Sequence, residues 1–102
     1  MRRSHQTNLV FQALLDAPAE ETYGFELARA TGLPGGTVYP ILQKLVDNGL
    51  LTTRWEEIEE SAARRRRRRY YRLTADGARA ARATTAPTEA GLRVLMPGWG
   101  AT

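Results

Sequence analysis

Apolar positions follow helical spacing through the first half of the chain and then switch, near Leu50, to strand spacing. Ser4 to about Ala17 predicts a first helix, with Leu9, Val10, Ala13, Leu14 and Ala17 on one face. Pro18 ends it, because the residue before a proline is pushed out of the helical region. Phe11 and Leu15 fall on a different side. A helix apolar on two sides is buried between layers or offers a second face to the C-terminal segment or a second subunit. Burial within one chain explains that pair equally well. Ala17 to Glu21 reads as a linker, and Thr22 to Thr31 as a second helix, with Thr22 as N-cap and Gly32 supplying the left-handed residue of a helix end. A tight turn at Gly32-Leu33-Pro34 leads to a third helix, from about Gly36 to Asn48. There Val38, Ile41, Leu42 and Leu45 stand at i, i+3, i+4 and i+7 and aim one stripe at a core. The opposite side carries Gly36, Pro40 and Gln43, flanked by Thr37, Tyr39 and Lys44, with Asp47 nearer the far end.

Beyond Leu50 the period becomes two. Leu51, Thr53 and Trp55 alternate with Thr52, Arg54 and Glu56, and Arg67, Arg69, Tyr71 and Leu73 alternate with Arg68, Tyr70 and Arg72. The pattern predicts a two-stranded wing whose inward residues are Leu51, Trp55, Tyr71 and Leu73, with a charged, mobile tip near Glu59 to Arg66. Thr74 then caps a last helix running to about Ala86, and Pro87 interrupts it before 88–96. Its alanines favour helix but bury little area, so the apolar content lies in Leu92, Val94, Leu95 and Met96.

Composition narrows the chemistry. The length accommodates a small core and about one domain. Fifteen basic residues against eleven acidic give +4, and the segment Arg54 to Arg72, with eight arginines and four glutamates, holds all of that excess. The basic partner-binding candidate is therefore this segment. Cross-strand pairing with Glu56, Glu57, Glu59 and Glu60 is the purely structural alternative, yet six consecutive arginines outnumber those glutamates and leave some guanidinium groups for phosphate. The absence of cysteine removes disulfides, thiol catalysis and cysteine-based zinc sites. His5, the only histidine, stands in a polar lead-in without a ligand cluster. No paired carboxylates, nucleophile with base or phosphate loop stands out, so no catalytic residue, metal site or cofactor is expected, and the chain is not expected to be an enzyme. No apolar run approaches the ~20 residues of a membrane span, and polar residues follow Met1-Arg2-Arg3, so a soluble cytoplasmic protein without membrane contact is expected.

The run Gly36-Thr37-Val38-Tyr39-Pro40, with Leu42, Leu45, the Asn48-Gly49-Leu50 helix exit, Tyr71-Arg72-Leu73-Thr74 and Gly77, resembles the PadR family of bacterial transcriptional regulators. Tyr23-Gly24-Phe25-Glu26-Leu27 matches as well, and the resemblance covers about Leu9 to Gly77. It departs from the family at Pro34-Gly35, where a serine-type cap is usual, and in lacking a leucine-rich C-terminal helix. The resemblance implies an α+β winged helix-turn-helix: a three-helix core, a two-stranded β-wing and a C-terminal helix. Residues 1–73 would form the DNA-binding domain and 74–102 a helical dimerisation segment and tail. It further implies a regulator, in the form of a repressor, that binds double-stranded operator DNA as a homodimer. Gly36, Thr37, Tyr39, Pro40, Gln43 and Lys44 on the third helix and Arg66, Arg67 and Arg68 on the wing are the expected DNA contacts. Phe11, Leu15, Leu92, Leu95 and Met96 are the expected dimer contacts. Some members of the family sense small molecules, but the short, alanine-rich C-terminal segment gives an effector no support. The competing reading is a winged-helix interaction module whose arginine run docks on an acidic partner protein.

Overall fold

A computed structural model describes residues 4–17 and 19–85 of the chain. The described elements run α1 (His5–Asp16), β1 (Glu21–Tyr23), α2 (Gly24–Thr31), α3 (Gly35–Asp47), β2 (Leu51–Trp55), α4 (Glu60–Ala63), β3 (Arg69–Leu73) and α5 (Ala75–Thr85). The α1 helix starts because the Ser4 side-chain oxygen accepts the Thr7 N–H at 3.1 Å, satisfying a donor the first turn leaves open. Its buried residues are Thr7, Val10, Phe11 and Leu14. Phe11 departs from expectation here. It is 0% exposed within the chain's own core, which removes it as a contact for a second subunit. A ring of that size is worth most when wholly withdrawn from water, and α1 is packed on both its apolar sides. Leu15 lies only half-buried at the edge of the core.

The region expected to be linker and N-cap holds a strand. Glu21, Thr22 and Tyr23 pair antiparallel with Arg72, Tyr71 and Tyr70 of β3, so Thr22 belongs to a ladder and caps nothing. The N-cap position of α2 is Tyr23, which makes no side-chain cap bond. The C-terminus of α2 follows expectation: Gly32 adopts φ 74° and its N–H reaches the Ala28 carbonyl at 2.9 Å. In sheet order β1-β3-β2, β3 is the central strand, and β2 pairs with it from Leu51↔Leu73 to Trp55↔Arg69. The two-stranded wing is thus continued by a third strand at its base.

Alternation places Leu51 and Tyr71 in the core, but Trp55 is 54% exposed. Trp55 shares a side with Leu51 yet stands at the far end of β2, opposite Arg69. The wing tip contains α4, a single helical turn, in place of a featureless loop. The Glu60 carboxylate accepts the Arg67 N–H at 2.6 Å and Glu56 pairs with Arg65, which closes the tip onto its own stem.

The core gathers Val10, Phe11, Leu14, Leu27, Val38, Leu42, Leu45, Leu51, Tyr71 and Ala81 from α1, α2, α3, both long strands and α5. Thr74 begins α5 as expected: its hydroxyl accepts the Gly77 N–H at 2.9 Å and donates to the Gly49 carbonyl at 2.8 Å. A Cβ at Gly77 would collide with the Leu50 carbonyl, so the start of α5 lies against the exit of α3 at a distance only glycine permits. The α5 helix then packs on α1, with Ala81 fully buried. Leu92, Leu95 and Met96, expected at the dimer interface, lie outside the described residues. Among the described residues no helix is long and apolar enough to cross a membrane.

Candidate nucleic-acid interface

The α3 stripe fixes what faces outward. Val38, Leu42 and Leu45 are 0% exposed, which leaves Gly36, Tyr39, Pro40, Gln43 and Lys44 exposed and Thr37 half-buried. The helix begins at Gly35, one residue earlier than expected, with Pro34 at the N-cap and no side-chain cap bond. The Pro34 carbonyl accepts the Thr37 and Val38 N–H groups, at 2.9 and 3.1 Å. The Gly35 and Gly36 N–H groups remain for an outside acceptor at the positive end of the helix dipole. Pro40 has no N–H to return to the Gly36 carbonyl, so this exposed first turn is also held less tightly than the rest.

Two side chains on this face are oriented by neighbours. Tyr39, 50% exposed, lays its ring over Gly24 at the start of α2 and against Gly35, and a Cβ at Gly24 would run into the ring. Gly24 is therefore explained by close packing. The Gln43 Nε2 group donates to Asp47 Oδ1 at 2.9 Å, which leaves the carboxamide oxygen and its second N–H pointing outward as an acceptor and donor pair. The Asn48 side chain caps the end of the helix by donating to the Lys44 carbonyl at 2.7 Å.

On the wing, the glutamates do not neutralise the arginines expected to meet DNA. Glu56 takes Arg65 in a two-point contact at 2.7 and 3.0 Å and also accepts the Arg68 backbone N–H and the Tyr70 hydroxyl. The Arg65 hydrogen bonds, ahead of the backbone contact, hold the Glu56 carboxyl at about 2, and the same pairing raises Arg65. Glu60 is engaged by the Arg67 backbone N–H. Among the described residues, the side chains of Arg66, Arg67 and Arg68 make no ion pair. Arg68 lies over the Tyr23 ring at 4.4 Å and Arg67 over Trp55 at 5.7 Å, contacts that hold a guanidinium without discharging it.

At the base of the sheet the charges are matched differently. Glu21 of β1 pairs with Arg54 of β2 across β3, and that hydrogen bond lowers the Glu21 carboxyl and raises Arg54. Arg72 pairs with Glu20 at 3.5 Å. Sequence reasoning missed both, because Glu20 and Glu21 carry no strand pattern of their own. It also missed Tyr23 and Phe25, which the α2 start brings to the same side as Tyr39 and the wing.

A helix-turn-helix with an exposed polar second helix, flanked by a strand hairpin, defines the winged-helix class of transcriptional regulators. The model of the transcriptional regulator PadR-like family matches residues 13–83, and the chain belongs to this family. Solved structures agree in fold. A PadR family transcription regulator from Clostridium difficile superposes with a TM-score of 0.63 at 24% identity, over 78% of this chain and 82% of that one. The smu.1704 protein of Streptococcus mutans superposes at 0.64 and 26% identity, covering 82% and 78%. The PcaV transcriptional regulator of Streptomyces coelicolor, solved with its natural ligand, superposes at 0.70 and 21% identity over 93% of this chain, which spans 62% of the PcaV chain. No curated protein matches the chain.

Proposed function

We propose that the protein represses transcription by binding operator DNA as a homodimer in the cytoplasm. In this reading α3 enters the major groove and the wing arginines engage phosphate. Thr37, Tyr39, Gln43 and Lys44 contact bases or nearby phosphates. Gly36 and Pro40 leave the helix start bare enough for the backbone to approach a phosphate. The observation that supports this reading best is the state of Arg66, Arg67 and Arg68. Their charges are uncancelled by ion pairs among the described residues, although four glutamates share the hairpin. A side chain committed to wing stability would be paired, whereas one committed to a phosphate is left available until the phosphate arrives.

The dimer follows from the reach of one helix. A single recognition helix reads only a few base pairs, so specificity calls for two copies on half-sites roughly 34–36 Å apart. Selecting bound fragments from the source genome and footprinting the best of them tests the reading. One upstream sequence with two protected half-sites is the expected result. Uniform, weak retention of all fragments, together with tight capture of an acidic protein through the arginine run, would replace it with the interaction-module reading. Sedimentation of the intact chain at tens of micromolar should give a dimer, and a monomer there would remove the two-half-site geometry.

A further inference from the structure

The described residues with large exposed apolar side chains are Phe25 at 61%, Trp55 at 54% and Tyr39 at 50%, and all three line one cleft of about 490 Å³ between α2, α3 and the wing. Arg67, Arg68 and Arg69 line it too, and no carboxylate does. Arg69 is positioned by its Nε–H, which donates to the Thr53 hydroxyl at 2.9 Å, leaving its terminal nitrogens free of ion pairs among the described residues. Arg67 and Arg69 both stand 5.7 Å from the Trp55 ring, so one aromatic face and two cations occupy the same wall. The volume lies within the roughly 300–1,000 Å³ of small-molecule sites.

Exposed aromatic rings with adjacent guanidinium groups are the chemistry that holds a planar base and its phosphates. The charge sets the ligand class further. Three arginines without a carboxylate are poorly matched by an aromatic monoanion and well matched by two or three phosphates joined to a ring. We propose that this cleft binds a nucleoside polyphosphate, its base against Trp55, Phe25 and Tyr39 and its phosphates on Arg67, Arg68 and Arg69. Because Tyr39, Arg67 and Arg68 also belong to the DNA surface, nucleotide and operator exclude one another. That exclusion rests on the DNA-binding reading, whereas the nucleotide site does not.

Calorimetry of the full chain with ATP, in magnesium-free buffer of low ionic strength, tests the site directly, with inorganic triphosphate, adenosine and 2-naphthoate as comparisons. ATP should bind once per chain and more tightly than inorganic triphosphate by about fivefold or more, the contribution of a single stacked base. Adenosine and 2-naphthoate should bind more weakly still. Trp55→Leu, at an exposed position, should weaken ATP by about fivefold more than it weakens inorganic triphosphate. Arg66→Ala, outside the cleft, should weaken ATP and inorganic triphosphate by a similar factor and so leave their ratio unchanged. Equal affinity for ATP and inorganic triphosphate, 2-naphthoate binding as tightly as ATP, no ATP binding, or ATP affinity unaffected by Trp55→Leu would each overturn the site. In a separate arm, ATP should displace labelled duplex beyond what inorganic triphosphate achieves at matched ionic strength. ATP binding without displacement of a bound duplex would overturn the exclusion. A chain that binds ATP but no duplex would overturn the DNA reading and leave the nucleotide site standing.

Discussion

The α3 helix and the wing present one surface, but they are built by different forces. The α3 backbone is positioned from behind by Val38, Leu42 and Leu45, all fully buried, so its placement depends on apolar contact rather than on ion pairs. The wing beyond Leu51 and Tyr71 has no such backing. Its tip is shaped by Glu56, Glu60, Arg65 and the backbone of Arg67 and Arg68, and Arg67 and Arg68 lie over the rings of Trp55 and Tyr23. Such contacts are individually small and respond to solution conditions. The position of α3 is therefore most sensitive to changes in the core, whereas the wing can be reshaped from the surface.

The largest effects should come from behind α3. Leu42→Ala removes a wholly buried side chain and should cost about 2–5 kcal/mol of unfolding free energy, read from the denaturant midpoint. Gly77→Ala belongs to the same group, because the atom in the way is the Leu50 backbone carbonyl and no flexible side chain can yield instead. If either variant kept the wild-type midpoint, α3 would not depend on the core in this manner. An intermediate effect is expected for base reading. With its amide oriented by Asp47, Gln43 can offer an adenine edge both an acceptor and a donor, and a contact of this kind discriminates by roughly 1–3 kcal/mol. Gln43→Ala should relax preference at one position per half-site while leaving stability alone. An identical ranking of single-base operator variants before and after the change would mark Gln43 as a solvated residue.

A smaller effect separates the two regions by pH. The folded Glu56 carboxyl is held at about 2, below its ordinary value of 4.5, chiefly by Arg65. Its stabilising contribution is thus fully present above about 4.5 and is lost as pH falls from there toward 2. The melting temperature of the wild type should exceed that of Glu56→Gln at neutral pH, and the gap should close across this window. A gap independent of pH would mean that Glu56 acts by shape alone.

The parts legible in the sequence were those fixed by local chemistry. The Ser4 to Ala17 helix, the Gly32 turn, the α3 stripe and the Thr74 cap each depend on residues within a few positions of one another. What escaped was decided by distant partners. Three residues of β1 show no alternation of their own and become a strand only because β3 has a free edge beside them. Trp55 has the right parity for the core but stands too far along β2 to reach it, and Phe11 has the spacing of a second face yet fills the core. The site divides in the same way. The α3 residues and the arginine run could be named from spacing and charge, whereas the cleft draws Phe25, Tyr39 and Trp55 from separate elements that only the folded chain brings together.

Whether α3 reads sequence while the wing grips phosphate is tested most directly by a salt titration. Arg66, Arg67 and Arg68 are replaced together by alanine, and binding to operator and random duplex is followed at several salt concentrations. For every phosphate that the wing no longer neutralises, the log–log salt dependence should flatten by about 0.9, and a flattening equivalent to about one to two phosphates is expected. Affinity should fall by a similar factor on both duplexes, so that their ratio survives. An unchanged slope with a lowered melting temperature would show that the wing's charge serves the hairpin, and would contradict this division of labour between helix and wing.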